Sequence, residues 1–339
     1  MDEEFSRLIM HKDFTESIRE IRKGKINLGT LGSKAYEAES EFDLEYGNYE
    51  IEGITEVNSI KLDASDGSRV NHELSSVIAY DESILKFSSI EGDGILSSHC
   101  LVKLANYDYL ASAYVTFHFY TRSEEIAKGN ETIRHSPNPT DLINVDYSKE
   151  REEFILKTVP DKSILLVDGP LLGKNLSAQT VKMNKRLLEK DIFSMFIVKN
   201  SLSNMVIDSV PLYKSKYNSD IHWASLFLKP GERTNFFLYK DRINPQLSKY
   251  FCYIKPFNAS PQRVEIHPTT YNKFKTELPS VMNLLYYYFI DNGDVENKQL
   301  RPIVIAEKFA RKTIAMFDIK KILKYTGLTP TVNEERFNL

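Results

Sequence analysis

The run Ser163-Ile-Leu-Leu-Val-Asp168-Gly169-Pro170 limits the choice of fold most. An apolar stretch of that length between turn signals reads as a buried strand. The end of such a strand is where a parallel sheet presents its ligands. Here that end carries an acid, Asp168, and then a glycine that lets the backbone turn and a substrate approach. The same pattern is read at Ile60-Lys-Leu-Asp-Ala-Ser-Asp66-Gly67-Ser68, as a strand over 58–64 with a turn at Asp66. Two such turns suggest two carboxylates converging on a divalent cation. The competing reading is that Asp-Gly is a common turn dipeptide.

The 339 residues suffice for one large domain or two smaller ones, and 42% apolar residues can supply a core. A net charge of −3 excludes a protein that coats nucleic acid by bulk charge, though not one with a local basic groove. Cys100 and Cys252 are too few for a disulfide scaffold or a cysteine-based zinc site. The N-terminal residues are charged throughout, and no apolar run approaches the ~20 residues that span a bilayer. The expectation is a soluble, cytoplasmic protein.

Helical spacing of Phe5, Leu8, Ile9, Phe14, Ile18 and Ile21 predicts an amphipathic helix over 3–23, and the eight acids of 36–57 read as a spacer. Strands are expected at 74–80, 111–120, 163–168, 193–199, 223–228, 235–239, 251–255 and 263–266. Helices are expected at 141–159, 177–190, 271–290 and 302–325, and a loop at 121–140. Strands followed by helix–strand–helix–strand predict an α/β fold, a mixed sheet with helices on its faces. The expected division is 1–57, an N-terminal helix and spacer; 58–325, the main domain; and 326–339, a tail.

Hydrolysis of a phosphodiester between two cations ~4 Å apart requires carboxylates that bridge and flank them. Hard cations such as Mn²⁺ or Mg²⁺ take oxygen ligands. Asp66 and Asp168 are the first candidates. On the helix before Asp168, Glu152 shares a face with the apolar Ile155 and Val159, with Glu150 and Glu153 as alternatives. Lys199, at the end of the next strand, can hold a phosphate. No Walker P-loop, Gly-x-Ser-x-Gly or His-Glu-x-x-His occurs, and the seven histidines show no metal spacing. His118 reads as a residue of a core or sheet surface.

The order of these features resembles the NurA nucleases: Asp66-Gly-Ser-Arg69, a Glu-rich helix, Leu-Val-Asp168-Gly-Pro-Leu, a strand ending Val-Lys199-Asn-Ser, Arg263-Val-Glu-Ile-His-Pro, and a closing Arg301-Pro-Ile-Val-Ile-Ala-Glu307-Lys-Phe-Ala. The resemblance covers 58–325. It implies an RNase H-like core and a manganese-dependent DNA nuclease with 5′→3′ exonuclease and single-strand endonuclease activity. It also implies a homodimer that docks on a hexameric HerA-type translocase in DNA end resection and repair. By position, Asp66 and Asp168 match the metal-binding aspartates, Glu152 or a neighbour the helix glutamate, and Lys199 the strand-end lysine. The family's closing helix usually carries a histidine where this chain has Glu307. Glu307 can substitute as an oxygen ligand, or form an ordinary surface ion pair with Arg311.

Residues 298–324 hold eight Lys or Arg and two acids, so Lys308, Arg311, Lys312, Lys320 and Lys324 are candidate DNA contacts, together with Arg69. The aromatic run 286–289 reads as packing in preference to base stacking. One rival is a catalytically degenerate docking module, motivated by the missing histidine. The other is an actin-like kinase, which would need glycine-rich phosphate loops that the 14 scattered glycines do not form.

Overall fold

The computed structural model describes residues 49–73, 76–105, 108–128, 133–173, 176–201, 203–214, 216–291 and 299–318, with 321, 329 and 331. The expected 3–23 helix, Lys320, Lys324 and most of the tail lie outside these residues.

The chain opens with β1 (Tyr49–Glu52), β2 (Ser59–Lys61) and α1 (Ala64–Glu73). Three long strands follow: β3 (Val77–Ser88), β4 (Asp93–Ala105) and β5 (Asp108–Thr121). Next come α2 (Glu124–Ala127), β6 (Ile133–His135), α3 (Pro139–Thr158), β7 (Ile164–Asp168), α4 (Ser177–Glu189) and β8 (Phe193–Val198). After the short α5 (Met205–Ser209), α6 (Pro211–Lys214) and α7 (Asp220–Phe227) come β9 (Glu232–Thr234), β10 (Phe237–Asp241), β11 (Lys249–Lys255) and β12 (Gln262–Ile266). Helices α8 (Pro268–Lys273), α9 (Leu278–Ile290) and α10 (Arg301–Ala315) close it.

The twelve strands make one mixed sheet in the order β1-β10-β11-β12-β8-β7-β3-β4-β5-β6, with β9 and β2 branching from β11. At its centre β3, β7 and β8 run parallel. The apolar run of β7 follows from this position. Ile164 and Leu166 enter the core beneath α9 and α10, whereas Leu165 and Val167 enter the core on the other face with Ile155, Leu187 and Trp223. A strand covered on both faces has no polar side to alternate with. No helix among the described residues is long and apolar enough to cross a membrane.

Several expectations are corrected, among them the loop at 121–140, which holds α2, β6 and the start of α3. Asp66-Gly-Ser-Arg69 is not a strand-end turn but part of α1, which packs on α9. A Cβ on Gly67 would lie 2.1 Å from the Asn283 carbonyl oxygen, so this glycine serves close helix packing. Residues 223–227 of the expected strand 223–228 belong to a helix, whose start is capped by the Ser219 hydroxyl accepting from the His222 N–H. Strand β4 has no counterpart in the sequence reading, because Ser97, Ser98 and His99 interrupt its apolar pattern and yet are buried. The described part of the 36–57 segment supplies β1, paired antiparallel with β10.

Candidate active site

Strand register builds the site. Tyr80 of β3 lies beside Val167 of β7, so Asp81 and Asp168 each stand one residue further on, on adjacent parallel strands. Ala79, Leu166 and Ile197 all face the core under α9 and α10. Two positions on, the alternation of a strand brings Asp81, Asp168 and Lys199 to that same face. Helix α10 lies across it. Its Ile303, Ala306 and Ala310 are buried in that core, and Glu307, next to Ala306, reaches the strand ends.

The Lys199 ammonium lies 2.8 Å from Asp168 Oδ2 and 3.3 Å from Glu307 Oε2. The other Glu307 oxygen accepts from Arg311 at 2.6 Å. Asp81 is 6% exposed. Its carboxyl is pushed up to about 8, first by burial and then by the facing Asp168 charge. Burial also raises Asp168, against the pull of Lys199, and Glu82 and Glu307 add to the rise. Lys199 is held above its ordinary value: burial works against its charge, and Asp168, Asp81 and Glu307 outweigh it. The balance is uneven, since one ammonium serves several carboxylates.

The donor set fits a hard divalent cation chemically: three carboxylates meet at one end of the sheet, and two of them are driven toward protonation, first by burial and then by neighbouring carboxylate charge. Among the described residues, however, no three His, Cys, Asp or Glu side chains stand together as a metal-binding group. Lys199 bridges Asp168 and Glu307, which with Asp81 are the residues that would hold a cation.

The structure therefore brings together Asp168, Lys199 and Glu307 of the residues expected from sequence. It does not bring Asp66 to them. Asp66 accepts from Asn283 at 2.8 Å and from Arg69 at 2.6 Å, and these bonds hold its carboxyl below the usual range. Arg69 is spent on Asp66 and Glu73. Glu152 is also elsewhere, paired at 2.8 Å with Arg186 of α4 across a helix–helix contact. Its neighbour Glu150 faces the sheet and accepts from Thr116 at 2.8 Å and from His118. Burial alone would raise the Glu150 carboxyl, but hydrogen bonds from His118 and Thr116, with His99 3.8 Å away, bring it down to about 2. Glu153, Lys308 and Lys312 are exposed. Tyr288 and Phe289 are buried core residues.

Asp81 is the residue the sequence reading missed. Its signal was present: Val77-Ile-Ala-Tyr runs into an acid as Ile164-Leu-Leu-Val does. No glycine follows, and β3 continues to Ser88 alongside β4.

A family model described as NurA domain matches residues 106–311, more than half of the sequence. The chain belongs to the NurA family. The crystal structure of the NurA nuclease from Sulfolobus solfataricus matches this NurA chain at 12% identity with a TM-score of 0.54, over 94% of this chain and 98% of that one. That likeness shows the fold, an RNase H-like mixed α/β core. A structure of NurA with manganese matches at 8% identity with a TM-score of 0.37, over 74% of this chain and 94% of that one, too distant to add to the argument. No curated protein matches the sequence.

Proposed function

We propose that this NurA-family protein is a divalent-metal-dependent DNA nuclease whose cation is held by Asp81 and Asp168, with Glu307 as third oxygen donor. The observation that carries this reading is the pair of carboxylates, Asp81 and Asp168, on adjacent parallel strands, both raised first by burial. Bound Mn²⁺ or Mg²⁺ would supply Lewis acidity toward the phosphodiester. The chain's own groups do the rest. Lys199 stays protonated at neutral pH, so it acts as a cation toward a phosphate oxygen and not as a base. Arg311 steadies Glu307. The exposed Lys308 and Lys312 of the same helix offer charge to the DNA backbone beside the site.

Separate Asp81→Asn and Asp168→Asn variants test this with single-stranded and duplex DNA in Mn²⁺. Each is expected to lose cleavage by about a hundredfold or more while DNA binding changes little, because each deletes a ligand and not a backbone contact. Wild-type cleavage in either variant overturns the assignment. One observation favours a second reading: Lys199 already bridges Asp168 and Glu307. A permanently closed site would leave a docking module without hydrolysis, and wild-type protein would then be inactive in Mn²⁺ with or without a translocase. The finer expectations of exonuclease polarity, homodimer and HerA-type partner rest on the family resemblance.

A further inference from the structure

The segment Arg263-Val-Glu265 touches no substrate position in this reading, yet it buries charge completely: Glu265 is 0%, Arg263 4% and Lys249 2% exposed. Strand β12 sets Arg263 opposite Val198 and Glu265 opposite Phe196 of β8. Phe196, Phe251 and Tyr253, their register partners, face the core on the side away from α9 and α10. The two charged side chains therefore lie behind the sheet face that carries Asp81, Asp168 and Lys199.

From there they reach both loops of the site. Glu265 Oε2 accepts from the Leu171 N–H at 2.8 Å, three residues past Asp168. Gly169, at φ +101°, turns the chain toward it, and its N–H donates to the Ile197 carbonyl at 2.9 Å. Arg263 Nη1 donates to Ser201 and, at 2.6 Å, to Ser203, just past Lys199. The two residues are locked to each other, Arg263 Nε donating to Glu265 Oε1 at 2.7 Å, and Lys249 donates to the same oxygen at 2.6 Å. A buried ion pair is weak support for stability, since apolar residues of similar volume often do as well. What it adds is direction, because its hydrogen bonds have fixed partners and angles.

We propose that Arg263 and Glu265 are positioning residues that fix the β7 and β8 loops from behind the sheet and so set the separation of the Asp168 carboxylate from the Lys199 ammonium. The catalytic consequence rests on the nuclease reading above.

The test uses the full chain with Glu265→Gln and a Ser201→Ala/Ser203→Ala double variant; the second removes the Arg263 Nη1 contacts and the Ser203 hydrogen bond to Asp220, and leaves the Arg263–Glu265 and Lys249–Glu265 ion pairs in place. Asn184→Ala is the matched control. It deletes a buried hydrogen bond to Ser194, near the start of β8 and away from the loops. Amide exchange of Gly169, Leu171, Leu172, Ser201 and Ser203 is expected to quicken about tenfold in the test variants, and kcat to fall about tenfold with KM for DNA unchanged. The control is expected to lower Tm and leave exchange and kcat at wild-type values. Wild-type loop exchange in both test variants, or equal changes in the control, overturns the proposal. If wild-type protein hydrolyses no DNA, the nuclease reading falls, and loop exchange alone still decides the positioning role.

Discussion

Asp81 is held in a costly state. A carboxyl whose folded value is about 8, against an ordinary 3.8, binds more protons folded than unfolded between those limits. Its contribution to stability therefore falls as pH rises from about 4 to about 8 and is level above that. Asp81→Asn removes this loss. The variant is expected to be more stable than wild type at pH 8 in chelator, by up to several kcal/mol at ~1.4 kcal/mol per unit of the rise, and equal to it near pH 4; denaturant melts at the two pH values check this. Equal stability at pH 8 would show that neither burial nor the facing Asp168 charge raises the Asp81 carboxyl. At this scale Asp168 was readable because an acid followed by glycine ends a short apolar run. Asp81 was not, because the next residue, Glu82, continues the strand. Asp66 misled for the opposite reason. Its Asp-Gly pair fits a turn, but Asn283, 217 residues away in sequence, binds the carboxylate and gives the glycine its purpose.

Helix α1 depends on the missing side chain of Gly67 for its approach to α9. Gly67→Ala would push a methyl into the Asn283 carbonyl, a backbone atom with little room to yield, and is expected to cost about 1–3 kcal/mol. A glycine in an exposed turn would tolerate alanine far better, so the melting temperature of this variant separates the helix from the turn the sequence suggested. The most legible elements were those whose pattern is local: α4, with its charged and apolar spacing, and β7 and β8, with continuous apolar runs. Strand β4 was hidden because buried polar residues break its apolar run, two of them held by partners distant in sequence: Ser97 meets Thr116 at 2.5 Å, and His99 Nδ1 meets the Tyr80 hydroxyl at 2.7 Å. Helix α7 was hidden because Trp223, Ala224 and Leu228 are apolar enough to pass for a strand, and only the Ser219 cap marks a helix start.

Across the whole molecule, one sheet with both faces covered does two separate jobs. The face under α9 and α10 presents Asp81, Asp168 and Lys199 to Glu307. The opposite face buries Arg263 and Glu265, which hold the loops of the first from behind. The α/β class and the helix-flanked mixed sheet followed from the order of elements. The meeting of β3 with β7 did not, since sequence patterning carries no record of which strands become neighbours. Diffraction at the manganese edge from crystals soaked in Mn²⁺ tests that meeting most directly. A peak roughly 2.2 Å from carboxylate oxygens of both Asp81 and Asp168 is the expected result, with Lys199 moved aside. Manganese bound at Asp66, or at neither Asp81 nor Asp168, would contradict the account.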